Sequence, residues 1–302
     1  MQAHCKGGGQ ESLINSFCFL FLFVIKLIPD IGTVHKVYIN SRSYNSRMES
    51  WIHNIEKVKL KNPILIEGLP GIGNVGRVAT GYLINQLKMK KFAELYSPHF
   101  LPLVLVHENS EVHVLNLEFH YMKGKSRDII VLTGDTQSIS PEGHYEICSK
   151  IIDFADSLGV KEIITLGGFS EGKSTNKPSV LAAVNNKDLI KKYKKFDIDF
   201  GKKHQVGTII GASGLLLGLA KPKKIDGICL LGETTGMPIL TDPNAADAVL
   251  HVLVKMLNMK LDFTMLEKSV ILIQEKIKKS DGMHRKMLEQ LSGKEEPVRY
   301  IG

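Results

Sequence analysis

Between residues 62 and 259 the chain repeats one pattern: a short run of consecutive apolar residues, a glycine, and then apolar residues three and four positions apart. Residues 63–67 (PILIE) stop at Gly68, and Val75, Val78, Ala79, Tyr82, Leu83, Ile84 and Leu87 follow at helical spacing. Residues 128–133 (DIIVLT) precede a helix from about Pro141, with Ile147, Ile151, Phe154, Ala155 and Leu158 on one face and Gly159 as its stop signal. Residues 161–166 (KEIITL) run into Gly167-Gly168, and residues 206–210 and 225–231 end at Gly211 and Gly232. A helix over residues 243–259 opens behind Asp242 as N-cap. All-apolar strands need cover on both faces, and amphipathic helices between them supply it. The pattern therefore predicts an α/β fold, a three-layer α-β-α sandwich around a mostly parallel sheet.

Two stretches stand outside the repeat. Residues 102–107 (PLVLVH) and 112–121 (VHVLNLEFHY) read as an antiparallel or edge pair closed by Lys123-Gly124-Lys125. Residues 262–292 mix Met265, Leu266, Val270, Ile273, Ile277, Met287, Leu288 and Leu291 with many charges, which predicts a helical appendage. The expected organisation is a non-fold N-terminal extension (1–47), an α/β domain (48–260), the appendage (261–292) and a flexible tail (293–302).

The boundary at residue 47 rests on an apolar run at 17–28 (FCFLFLFVIKLI), broken by Lys26 and shorter than the roughly 18–20 residues of a spanning helix. It has a weak basic flank and no small-residue cleavage site, so it does not read as a signal peptide. Met48 opens a second, more conventional beginning, which suggests a misassigned start; an inserted anchor is the rival reading.

Net charge is +8 over 302 residues, with 43% hydrophobic and 23% charged residues, a composition that excludes disordered, collagen-like and multi-span membrane chains. The first 47 residues hold five basic and two acidic side chains, and much of the remaining excess lies in lysine runs at 187–195, 202–203, 221–224 and 276–279. Apart from Tyr193, no aromatic residue interleaves with these runs, so solvated lysines, or complementarity to acidic protein partners, are expected and not a nucleic-acid groove. Cys5, Cys18, Cys148 and Cys229 form no CxxC pair and no zinc spacing with histidine, and read as reduced thiols. His99, His107, His113, His120 and His144 also lack metal spacing.

The motif closest to chemistry is Gly71-Ile72-Gly73-Asn74-Val75-Gly76, a GxGxxG after a predicted strand and before a predicted helix. Gly71, Gly73 and Gly76 could let backbone amides and the helix terminus hold a phosphate, or could serve close strand-to-helix packing with no ligand. The acidic residue a dinucleotide fold places about 20 positions on is missing, since Glu94 precedes its apolar stretch and does not end it. Strands of a parallel sheet end on one side, so Asp135, Glu171 and Glu233 could line a crevice there with the Gly71 loop. That cluster fits a nucleoside or metal site, or equally the turn and capping chemistry such loops need. No HExxH motif is present, and no catalytic residue is assigned.

Residues 68–87 (GLPGIGNVGRVATGYLINQL), with GDTQ at 134–137, GGF at 167–169, GASGLLLGLA at 211–220 and GETTGMPILTDPNAADAVL at 232–250, resemble the archaeal branch of the proteasome assembly chaperone family, second-subunit type. Members are sometimes also labelled as relatives of ATP-grasp ligases, a label this chain does not support by motif. The resemblance implies a Rossmann-like sandwich distantly similar to nucleoside phosphorylases. It further implies a cytoplasmic, non-catalytic protein without a cofactor that self-associates and binds proteasome α-subunits or the 20S core, with no nucleic-acid or membrane partner. Proteasome-binding partners often end in a hydrophobic-Tyr-any tripeptide. Here the end is Arg299-Tyr300-Ile301-Gly302, with Tyr third from the end. Tyr300, Ile301 and Gly302 are the candidate partner-binding residues. A nucleotide- or nucleoside-binding enzyme built on the Gly71 loop and the crevice carboxylates is the alternative.

Overall fold

Alternate residues of the central strands are apolar on both sides, and the structure shows why. In Ile64–Glu67 (β2), Ile64 and Ile66 face one helical layer while Leu65 faces the other, all three at most 1% exposed. The structure is a computed structural model and describes residues 49–170, 178–201, 207–234 and 241–263, together with Leu266 and Lys268. The strands are Trp51–Asn54 (β1), β2, Lys90–Tyr96 (β3), Val104–Val106 (β4), Val112–Val114 (β5), Leu117–Met122 (β6), Ile129–Gly134 (β7), Glu162–Phe169 (β8), Val180–Val184 (β9) and Asp226–Glu233 (β10). The helices are Val75–Gln86 (α1), Pro141–Ser157 (α2), Asp188–Tyr193 (α3), Ala212–Ala220 (α4) and Pro243–Leu257 (α5).

Eight strands form one sheet in the order β1-β3-β6-β7-β2-β8-β10-β9. Strands β7, β2, β8 and β10 pair in parallel, and antiparallel neighbours extend the sheet on both sides. Five of the eight strands, β2, β3, β7, β8 and β10, run in one direction. One layer packs α1 and α5 on Ile64, Ile66, Val131, Ile164, Leu166, Ile228 and Leu230. The opposite layer packs α2 and α4 on Leu65, Ile130, Leu132 and Ile163, with Phe92 and Phe119 beneath. This is the expected α-β-α sandwich. Residues 259–263 fold back over the first layer, where Phe263 stacks on Tyr82 and the Tyr82 hydroxyl donates to the Asp262 carbonyl.

The helix signals behave as the sequence predicts. Gly159 follows the end of α2 at φ 81°, and Ser140, which the sequence reading did not single out, caps its start by accepting from the Gly143 amide at 3.1 Å. Asp242 caps α5 by accepting from the Ala245 amide at 3.0 Å.

The strands differ from expectation in three places. The stretch 112–121 is not one strand. Asn116 leaves the ladder to exchange hydrogen bonds with Asp135, its amide donating to Oδ2 at 3.3 Å and its carbonyl accepting from the Asp135 amide at 3.1 Å. This splits off β4 and β5 as a separate two-stranded ribbon while β6 enters the main sheet. Strands β1, β3 and β9 join the sheet although their sequences carried no clear strand pattern; in β3 a register shift between Lys91 and Ala93 breaks the two-residue alternation. Residues 207–210 form no strand: Ile209 packs beside Phe169 and Leu231, and Ile210 is 90% exposed. The extension at 1–47, most of the appendage and the tail, including Tyr300, Ile301 and Gly302, lie outside the described residues.

Candidate functional site

Strands β2, β7, β8 and β10 end on one side of the sheet, and the loops that leave there carry the glycine blocks singled out in the sequence. The Gly71 loop makes a single 3-10 turn (Ile72–Asn74) and enters α1. Two of its glycines, Gly73 and Gly76, fit tightly against protein. Gly73 sits at φ 62°, and a Cβ there would lie 2.9 Å from the Thr234 hydroxyl. A Cβ on Gly76 would lie 2.3 Å from the Leu166 carbonyl oxygen, which is how α1 comes so close to β8. The Gly73 carbonyl accepts from the Asp242 amide at 2.9 Å, and Thr234 donates to Asp242 Oδ2 at 2.7 Å. Gly71 is extended and lies near Gln137. Gln137 donates to the Pro70 carbonyl at 2.5 Å and accepts from the Ala212 amide at 3.0 Å, tying the Gly71 loop to the start of α4. The dispersed blocks thus interlock into one junction.

The candidate carboxylates are held by separate sets of neighbours. Asp135, just beyond β7, faces Arg77 of α1 at 3.6 Å and His113 of β5 at 2.7 Å, besides the Asn116 amide. Glu233, the last residue of β10, accepts from the hydroxyl and amide of Ser179 at 2.7 and 3.2 Å. Glu171 lies outside the described residues. His99 and His120 likewise face carboxylates, Glu146 and Glu118, at 2.9 and 2.8 Å. Among the described residues no three His, Cys, Asp or Glu side chains are grouped to hold a metal ion.

One charged group at this junction escaped sequence reasoning. Glu67 closes β2 with no exposed surface, accepts from the Leu69 amide at 3.2 Å and meets the Ser213 hydroxyl at 3.2 Å. Burial pushes its carboxyl up to about 8, against the lowering effect of those two hydrogen bonds. The signal was present as the one acidic residue of the PILIE run. Burial, with a contribution from Glu67, also pushes Cys148 up to about 12, and burial does the same for Cys229, so neither offers a thiolate near neutral pH. A small, mainly apolar cavity lies beside the junction, lined by Leu69, Phe100, Leu117, Gln137, Ile147 and Ala212 among others.

This side of the sheet leaves large apolar side chains exposed. The described residues include ten large apolar side chains that are exposed, and all but Ile55 belong to the strand-end side. Ile72 and Ile139 follow β2 and β7, Ile210 precedes the Gly211 loop, Tyr145 lies near the start of α2, and Trp51 pairs with Tyr96 at the end of β3. The remaining four are the valines of the β4-β5 ribbon. Its described carboxylates are engaged by neighbouring groups and large apolar side chains are presented outward, as at a protein-binding rim, while Asn74 Nδ2 and Asn116 Oδ1 are buried without a hydrogen-bond partner. No helix of the described residues is long and apolar enough to cross a membrane.

Comparison with known proteins places this geometry in context. The family model described as the PAC2 family matches residues 65–280. The protein MJ1210 of Methanocaldococcus jannaschii is 40% identical over 246 residues, covering 80% of this chain and 93% of its own. Among solved structures, Pyrococcus furiosus PbaB, described as an archaeal proteasome activator, superposes with a TM-score of 0.68 at 42% identity, covering 80% of this chain and 99% of that one. Pyrococcus furiosus PbaA, described as an archaeal homolog of proteasome-assembly chaperone, gives a TM-score of 0.64 at 28% identity, covering 79% and 99%. These matches lend no support to the ATP-grasp label.

Proposed function

This chain belongs to the PAC2 family, and from that membership we propose that it is a proteasome-assembly-chaperone-like protein that self-associates and binds proteasome α-subunits, acting by protein contact and not by turnover of a small molecule. The observation that carries the reading is the character of the strand-end rim. Its described carboxylates are engaged by neighbouring side chains and amides, the space beside Gly73 and Gly76 is filled by side chain and backbone, and it presents large apolar side chains outward. A site for chemistry would instead converge polar groups on an open pocket. The description of PbaB as a proteasome activator widens the partner to include the assembled 20S core. Residues 298–302, with Tyr300, Ile301 and Gly302, are proposed to contribute to capture as an extended peptide.

The test is capture of recombinant α-subunits and of assembled 20S core from the same organism by the full-length chain, beside a variant ending at residue 297. Retention of α-subunits by the full chain, weakened in the shortened one, is the expected result. Absence of α-subunit binding by the full chain at concentrations of about 10 µM, on the weak side of specific association, would overturn the reading.

A further inference from the structure

We propose that the end of the sheet opposite the glycine junction is a docking surface for an acidic protein segment, a partner separate from the α-subunits assigned to the rim.

Topology gathers lysines that the sequence disperses. Strands β2, β7, β8 and β10 begin at this end, and β1, β6 and β9, which run the other way, finish there. The segments that meet are 56–61 after β1, 123–128 between β6 and β7, 161–162 at the start of β8, 186–197 after β9 and 221–226 leading into β10. Together they hold fifteen Lys and Arg against six Asp and Glu. Segments 67–76, 97–116, 134–142 and 233–242, at the other end, hold seven Asp and Glu and no Lys or Arg.

The basic segments touch one another. Lys123 donates to the Lys59 carbonyl, and Asp128 accepts from the Lys61 amide at 2.7 Å and from Lys123 at 3.2 Å. Glu162 gathers Arg127 at 3.0 Å and Lys192 at 2.9 Å, and Asn186 donates to Asp226 at 3.0 Å. One band therefore runs from the β1 side of the sheet to the β9 side. Asp128 and Glu162 are buried, so they pin the band from beneath and present little negative surface. Lys57, Lys59, Lys125, Lys194, Lys221 and Lys224 are exposed and form no ion pair among the described residues. Like charges held together repel, and an acidic partner is steered to this end and relieves that repulsion on contact.

The chemistry of the band selects a protein over other polyanions. Its one arginine, Arg127, turns its guanidinium to Glu162, so the fork that grips phosphate is already spent. Lys123, Lys192 and Lys195 lie over the rings of Tyr121, Tyr193 and Phe196 at 5.9, 4.7 and 5.3 Å, and Tyr193 is buried, so these rings are not set out for stacked bases. Glu56, Asp188 and Asp197 stay exposed among the lysines, and a partner of mixed sign accommodates them better than an unbroken row of phosphates. Of the exposed large apolar side chains among the described residues, only Ile55 adjoins the band, too little to enter a bilayer.

Fluorescence anisotropy on the full chain tests this, with a labelled peptide of about 20 residues, alternating Glu and Ser, as the probe. Binding at about 50 mM salt with a dissociation constant on the order of 10 µM is expected. It disappears near 500 mM, where charges act only within about 4 Å. The variant Lys187→Gln/Lys194→Gln/Lys221→Gln alters exposed side chains outside the ion pairs, so it keeps the wild-type circular dichroism spectrum; it weakens binding by about 10-fold. Val106→Glu/Val112→Glu/Ile139→Glu makes the same change in net charge at the opposite end and weakens binding by no more than about 3-fold. Absence of binding by wild type at about 100 µM overturns the proposal, as does equal weakening by the two variants, which would reduce the effect to net charge. Tighter binding of single-stranded DNA of about ten nucleotides than of the peptide would make the band a nucleic-acid surface and overturn the assignment. Flotation with phosphatidylserine vesicles, lost in the lysine variant, would overturn it in favour of a membrane. Capture of α-subunits is read separately. The lysine variant keeps it; its loss there would merge the band with the subunit-docking surface and overturn a separate partner.

Discussion

Glu67 shows how a single residue couples the sheet to its loops. It ends the most central all-buried strand, takes the Leu69 amide as the chain turns toward the Gly71 loop, and meets Ser213 at the start of α4. The carboxyl ionises near 4.5 when exposed, but burial holds its proton to about pH 8. Between those values the unfolded chain releases a proton that the folded chain keeps. This contribution to stability is therefore complete below about 4.5, declines as pH rises toward 8, and levels off above it. Glu67→Gln keeps an acceptor for Leu69 and offers a donor to Ser213 without the ionisation. Its stability, relative to wild type, is expected to improve steadily from pH 5 to pH 8, by an amount on the order of a few kcal/mol. Thermal melts of both proteins across that range check the slope; a difference that does not change with pH would show that Glu67 ionises freely in the fold.

At the scale of elements, the helices announced themselves through chemistry local in sequence. Ser140 and Asp242 are caps whose partners lie three residues on, and Gly159 is a stop whose positive φ is its own. Strands depend on distant partners, and there the sequence was less legible. The all-apolar runs of β2, β7, β8 and β10 were readable because both faces are covered. Strand β3 was hidden by its register shift, and β1 by a pattern of exposed and half-buried residues. The break at Asn116 could not be read at all, because its cause is Asp135, nineteen residues away. Asp242 joins the two kinds of information: it caps α5 locally and also receives the buried hydroxyl of Thr234 beside Gly73. Asp242→Ala is expected to cost about 2–3 kcal/mol, from a lost cap and a buried hydroxyl without its acceptor. Asp242→Asn, which keeps the cap, should cost less. Urea titrations should show a lower midpoint with an unchanged slope.

For the whole molecule, the sequence disclosed the layered fold and the positions of the glycine blocks, but left open whether those blocks hold a ligand or hold each other. Spacing alone could not decide between them, because the difference lies in what fills the space beside Gly73 and Gly76, and Thr234 and Leu166 come from elsewhere in the chain. The same interlocking bears on how the fold comes apart. The two apolar layers take alternate residues of the same strands, so neither helical layer can detach without exposing a sheet face that the other depends on. Trp51, the single tryptophan, reports from the far edge of this sheet, where it stacks on Tyr96 with ring centroids 5.4 Å apart. Strand β1 pairs with β3 over Trp51–Asn54, and Phe92 of β3 lies in the core beneath α2. Edge and centre are thus built on shared residues, and a single cooperative transition follows. Tryptophan fluorescence and far-ultraviolet circular dichroism should report the same denaturant midpoint. A fluorescence change completed at lower denaturant would mean that β1 peels away as a unit of its own, and would confine the cooperative core to the strands from β3 onward.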